Sequence, residues 1–147
     1  MFFISHRGNI SGPNPNEENK IEYINEAINQ NFDVEIDVWF KNDQFYLGHD
    51  EPQYIINMEF LNNNKLWIHT KNLDCFYKLG ETNLNFFWHE EDKVVLTSKG
   101  YYWNYPGTKL SKKSIFVLPE KTNIKNSECL GICSDYIKDY YDRYNNI

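Results

Sequence analysis

Residues 33–38 read Asp-Val-Glu-Ile-Asp-Val, and from Phe32 to Val38 apolar and acidic side chains alternate strictly, with Trp39 next. A β-strand turns successive side chains to opposite faces. The run therefore predicts a strand with Val34, Ile36 and Val38 on one side and Asp33, Glu35 and Asp37 on the other. The i,i+2 spacing of Glu35 and Asp37 can direct two carboxylates at one hard divalent cation. Acidic side chains on the wet face of a half-buried strand are the ordinary alternative, and the run by itself leaves both readings open.

The segments around it suggest how such a strand is flanked. Phe2-Phe3-Ile4 is a short β-prone run that feeds the polar Ser5-His6-Arg7-Gly8. Residues 9–16 carry turn formers, and Ile21, Ile24 and Ile28 then recur at helical spacing, which predicts a helix over 19–30. Asn42-Asp43 separates the acidic strand from Gln44-Phe45-Tyr46-Leu47 as a hairpin, with Gly48-His49-Asp50 directly after it. A short helix is expected over 55–61 and a strand over 66–71, Leu66-Trp67-Ile68-His69-Thr70-Lys71. Further strand candidates lie at 85–89, 93–97, 101–103, 114–118 and 130–133, followed by a terminal helix over 135–144. The first three strands have room for crossover helices, whereas the region from 86 to 118 has mostly turns and loops.

Length bounds the architecture. At 147 residues the chain has room for one domain and one core. A full barrel of eight strands and eight helices takes roughly 250 residues. Aromatic residues make up 17% of the chain, ample for a folded core. Lys and Arg total 15 against 21 Asp and Glu, a formal charge of −6, which argues against a nucleic-acid partner or an anionic membrane surface. A small anionic substrate would need positive charge gathered locally. Three cysteines, Cys75, Cys129 and Cys133, do not form a disulfide framework, so a reducing, cytoplasmic setting is expected. No export signal is visible and no apolar run approaches the roughly 18 residues of a transmembrane segment. Nothing in the sequence indicates the oligomeric state.

His6, His49 and His69 are each associated with a successive strand end, and parallel strands would converge them. Imidazole exchanges protons near neutral pH or binds a borderline metal. Arg7 beside His6, and Lys71 two residues beyond His69, would oppose phosphate oxygens, Arg as a fork and Lys as a concentrated charge. Taken singly, each histidine reads more readily as structural or surface-exposed, and a surface position is the alternative for Arg7 and Lys71. Gly8 would let the backbone approach a ligand. Trp88 and Trp103 read as aromatic core or as pocket walls.

Taken in order, Ser5-His6-Arg7-Gly8, Glu35-Ile36-Asp37, Gly48-His49-Asp50 and His69-Thr70-Lys71 resemble the glycerophosphodiester phosphodiesterase family of the phospholipase C-like superfamily. In that family His-Arg-Gly ends the first barrel strand, Glu-x-Asp ends the second, and His-Asp lies in the small insertion that follows. The resemblance implies an α/β fold, here a compact, reduced TIM-type (β/α) barrel with several outer helices missing, chiefly between residues 86 and 118. It also implies a phosphoric diester hydrolase acting on a small glycerophosphodiester-like or sugar-phosphate diester. His6 and His49 would be the catalytic acid/base pair. Glu35, Asp37 and His69 would hold one divalent cation, Mg or Ca, while Arg7 and Lys71 contact phosphate. The family usually has a metal-binding Glu where this chain has His69, so His69 ligates the ion, alters the metal preference, or weakens catalysis. Residues 131–135, Gly-Ile-Cys-Ser-Asp, resemble the last-strand Gly-x-x-Thr-Asp pattern with Ser134 in place of Thr, which makes Asp135 a support or a substrate contact. The similarity is strong over residues 1–71 and weak from 86 to 118.

Two other classes compete: a catalytically weak protein that binds a phosphorylated metabolite, and a structural protein whose acidic strand face is merely solvated. No Gly-rich loop with Gly-Lys-Ser or Gly-Lys-Thr supports a P-loop enzyme. Cys129-x-x-x-Cys133 has no second pair to complete a zinc site.

Overall fold

The computed structural model describes residues 1–123 and 128–146. In chain order its elements are β1 (Phe2–His6), α1 (Ile21–Asn29), β2 (Asp33–Lys41), β3 (Gln44–Leu47), β4 (Tyr54–Ile56), α2 (Met58–Leu61), β5 (Leu66–Thr70), α3 (Leu73–Leu79), β6 (Phe86–Trp88), β7 (Val94–Leu96), β8 (Tyr102–Asn104), β9 (Ser114–Val117), β10 (Gly131–Ser134) and α4 (Ile137–Asn145). A short 3-10 turn covers Pro119–Lys121.

The acidic strand sits near the middle of the sheet. β2 lies parallel to β1 on one side and to β5 on the other, with Glu35 opposite His6 and Asp37 opposite His69. β1 continues in parallel to β10, β10 to β9 and β9 to β8, while β5 continues to β6. Two strands, β3 and β7, run against this direction. The far end of β2 turns back through β3 and β4, and β7 pairs antiparallel with β8. Asn42 and Asp43 at the β2–β3 turn have φ of 51° and 58°. Those are the consecutive left-handed positions that two-residue hairpins use to match strand twist, and Asn and Asp tolerate them best after Gly.

Alternation along the strands builds two cores. Val34, Ile36, Val38 and Ile68 pack with Ile24 and Ala27 of α1, Leu61 of α2, and Cys75 and Leu79 of α3. Removing each such aliphatic side chain from water contributes about 2 kcal/mol. The opposite face gathers Ile4, Trp67, Phe87, Trp103, Ile115, Val117 and Cys133. Trp67 on β5 and Trp103 on β8 stand 5.8 Å apart between ring centroids although their strands are not paired. The sheet must therefore curl around these rings. α4 covers β1 from outside, with Phe3 edge-on to Tyr141 and Tyr144 at 5.2 and 5.4 Å.

The resulting architecture is a mixed-sheet half-barrel, with ten strands and four short α-helices among the described residues, mostly sheet. This corrects the expected α/β class and TIM-type (β/α) barrel. Such a barrel needs an outer ring of helices over parallel strands, whereas here the pairings β2–β3, β3–β4 and β7–β8 are antiparallel. Among the described residues no α-helix lies between α3 and α4. The outer face of β7 and β8 is consequently bare, leaving Val94, Leu96 and Tyr102 exposed. No helix among the described residues is long and apolar enough to cross a membrane.

Candidate functional site

At the ends of β1, β2, β5, β6 and β10, beyond the aromatic core, lies a cleft of about 490 Å³. Its lining includes His6, Arg7, Glu35, His49, His69, Lys71 and Asp135. Asp37 lies fully buried among them. Residues spread over 130 positions of sequence thus meet because parallel neighbours end at one rim.

Each side chain is held by an identifiable partner. His6, the last residue of β1, places Nδ1 2.7 Å from Asp135 Oδ1 and Nε2 3.6 Å from Glu35 Oε2. Asp135 Oδ1 also accepts from Asn9 Nδ2 at 2.9 Å, and Asn9 Oδ1 accepts from the Tyr23 hydroxyl at 2.9 Å. Asp135 is thereby a support for His6, and as an anion it would repel a phosphate rather than bind one. Glu120 fixes this corner by accepting from Ser134 Oγ and from the Asp135 amide.

Asp37 is gripped from three sides. Asn19 donates from Nδ2 to Oδ2 at 2.9 Å and accepts from the Asp37 amide at 3.0 Å. Arg7 Nε stands 3.3 Å from Oδ2, and His69 Nδ1 3.2 Å from Oδ1. Arg7 also reaches Glu18 with Nη1 at 3.3 Å. His49 follows Gly48, whose φ of 152° suits glycine and where a Cβ would run into the Glu51 carbonyl oxygen. Trp39 Nε1 donates to the Gly48 carbonyl, and His49 Nδ1 pairs with Asp50 Oδ1, at 2.6 and 2.7 Å.

Glu35, Asp37 and His69 bring one oxygen, one oxygen and one nitrogen within 4.8 Å of one another. Glu35 Oε2 and Asp37 Oδ1 are both buried without a hydrogen-bond donor. Two buried carboxylate oxygens without donors are costly unless a positive charge joins them, so the donor set fits a divalent cation. The electrostatics carry the same tension. Burial, with Asp37 close by, pushes the Glu35 carboxyl up to about 7. Burial would raise Asp37 too, but His69 and Arg7 outweigh it and hold its carboxyl below the usual range. Burial acts to lower the His6 pKa, yet the bond to Asp135 and the charge of Glu35 leave it raised. His49 is lowered by burial.

Several contributors escaped the sequence reading. Asn9 sits in the turn-rich segment after His6 and Asn19 at the expected start of the helix over 19–30, and nothing in the sequence ties either of them to a carboxylate. His89, one residue past β6, lines the cleft and stacks on Tyr105 with centroids 4.0 Å apart. It lay inside the expected strand over 85–89, and only the pairing of β6 with β5 brings it to the rim that carries His69. Trp103 takes both of its expected roles, fully buried in the core and forming part of the cleft wall. Trp88 is half-buried edge-on to Phe76. Gly8 serves a neighbour rather than a ligand: its φ is 93° and a Cβ there would meet the Tyr23 ring at 2.5 Å.

Comparison with known protein families, with curated proteins and with solved structures returns no match to this chain.

Proposed function

We propose that the protein is a phosphodiesterase that works with a bound divalent cation and hydrolyses a small glycerophosphodiester-like or sugar-phosphate diester. The observation that carries this reading is the convergence of two carboxylate-supported histidines, two cations and the Glu35–Asp37–His69 cluster on one cleft. Glu35, Asp37 and His69 would hold the cation, which would supply charge neutralisation at the phosphate. Arg7 and Lys71 add fixed positive charge where phosphate oxygens gain negative charge.

His6 and His49 divide the proton traffic. Hydrolysis forms a new P–O bond from water and breaks the P–O bond to the alcohol. One imidazole takes a proton from the attacking water, and the other gives a proton to the departing alkoxide oxygen. Asp135 on His6 Nδ1 and Asp50 on His49 Nδ1 each leave the second ring nitrogen for this work. A cytoplasmic setting belongs to the same reading, in keeping with free Cys75, Cys129 and Cys133.

The test is a panel of small phosphodiesters assayed for alcohol release with and without each divalent ion. Release that depends on cation and disappears in His6→Ala and His49→Ala supports the assignment; full turnover by both variants defeats it. His69, where the resembled family has Glu, favours one rival, a catalytically weak binder of a phosphorylated metabolite. Tight binding of a phosphate monoester without turnover would select that rival.

A further inference from the structure

The identity of the cation is written in how His69 is held. Its ring is 8% exposed and stacks on Phe87 with centroids 5.1 Å apart and planes 12° from parallel. Nε2 lies 3.2 Å from the carbonyl oxygen of His89. A carbonyl only accepts, so Nε2 carries a proton, and whenever the ring is neutral Nδ1 is a bare lone pair. That lone pair is 3.2 Å from Asp37 Oδ1, which is itself buried and lacks an aligned donor.

A lone pair facing a carboxylate oxygen is repulsive unless something positive lies between them. A proton on Nδ1 would answer Asp37 alone and leave Glu35 Oε2 still without a donor. A cation answers all three atoms at once, since they lie within 4.8 Å of one another. An imidazole that gives its remote N–H to a backbone carbonyl is how ligating histidines are oriented and made more basic. Magnesium and calcium favour all-oxygen sets, whereas imidazole favours first-row transition cations.

We propose that His69 is a nitrogen ligand through Nδ1 and that the Glu35–Asp37–His69 site is built for a borderline first-row cation of the manganese, cobalt or zinc class. This rests on the reading above that the cluster holds a cation, and sharpens it from a divalent ion to a chemical class. The His89 backbone is part of the device, because its carbonyl fixes the tautomer.

Because transition cations outbind magnesium at most mixed sites, a preference in the native protein alone is not the readout. The experiment is Mn2+ titration of chelator-stripped protein, with electron spin-echo detection of nitrogen coupled to bound Mn2+, in the native chain and in H69E. Nitrogen coupling in the native protein is expected, and its loss in H69E, together with a fall of at least about tenfold in the ratio of Mn2+ to Mg2+ affinity. Absence of nitrogen coupling in the native protein, or an unchanged affinity ratio in H69E, overturns the inference while leaving an oxygen-bound cation intact. Native-strength Mn2+ binding by both E35Q and D37N would instead overturn the site itself, and the inference with it. Should H69E fail to fold, the nitrogen coupling of the native protein decides alone.

Discussion

The strands over residues 2–71 and those over residues 86–118 share one concave face but are finished differently outside. In the first region β1, β3 and β5 all pair with the nine-residue β2, and α1, α2 and α3 seal the apolar face. That region supplies Glu35, Asp37, His49, His69, Lys71, His6 and Arg7. In the second region the strands are three or four residues long, and Val94 and Leu96 face outward without cover. It contributes the aromatic filling, Trp103, and the cleft wall at Tyr105. Charged groups that must be held to fractions of an ångström lie where helices brace the sheet; bulk is supplied where they do not.

The contrast can be broken at its strongest point first. His6→Ala should lower kcat/KM by about 10²–10⁴-fold, the usual worth of a positioned acid/base group. Circular dichroism should show an intact fold. Trp103→Ala tests the other region: truncating a fully buried tryptophan packed against Trp67 and Phe87 should cost about 3–5 kcal/mol in urea unfolding, because it leaves a cavity in the aromatic core. Asn19→Ala removes both hydrogen bonds to Asp37 and should cost about 1–3 kcal/mol, with weaker Mn2+ binding measured calorimetrically.

A pH series sharpens the picture of the acidic face. Folding lifts Glu35 from its ordinary 4.5 to about 7, so between those values the folded chain binds more protons than the unfolded one. Stability in the presence of a chelator should fall as pH rises through that window and level off above it, read as a decline in Tm. Glu35→Gln should flatten the slope. Asp37, shifted the other way, contributes stability that is present at neutral pH and lost only below its ordinary range. The smallest effect is expected on the bare face: Leu96→Ser should change unfolding free energy by no more than about 0.5 kcal/mol, since 65% of that side chain is already in water.

The strict alternation at residues 33–38 made β2 and its two faces legible, although the acidic face proves buried rather than wet. The terminal helix and most strand positions were legible for the same reason, the period of apolar residues. The expected α/β barrel failed because motifs at strand ends report which residues meet at a rim and say little about what connects the strands. Asn19 was illegible because its role depends on a left-handed backbone, φ 66°, and on contact with a carboxylate 18 positions away. His89 required knowing that β6 lies next to β5.

The two histidines also differ in the length of chain that must be organised before each is in place. The hairpin that presents His49 is tied by a bond spanning 9 positions, from Trp39 to Gly48. Hairpins of this kind form within about 1–10 μs. The bond that orients His6 spans 129 positions, and it exists only once β1 has paired with β10. Closing so long a loop is an entropic expense met late in folding. During refolding the sheet around β2 can therefore be native-like while His6 is still unoriented, and the orientation of His6 becomes the last feature of the cleft to return.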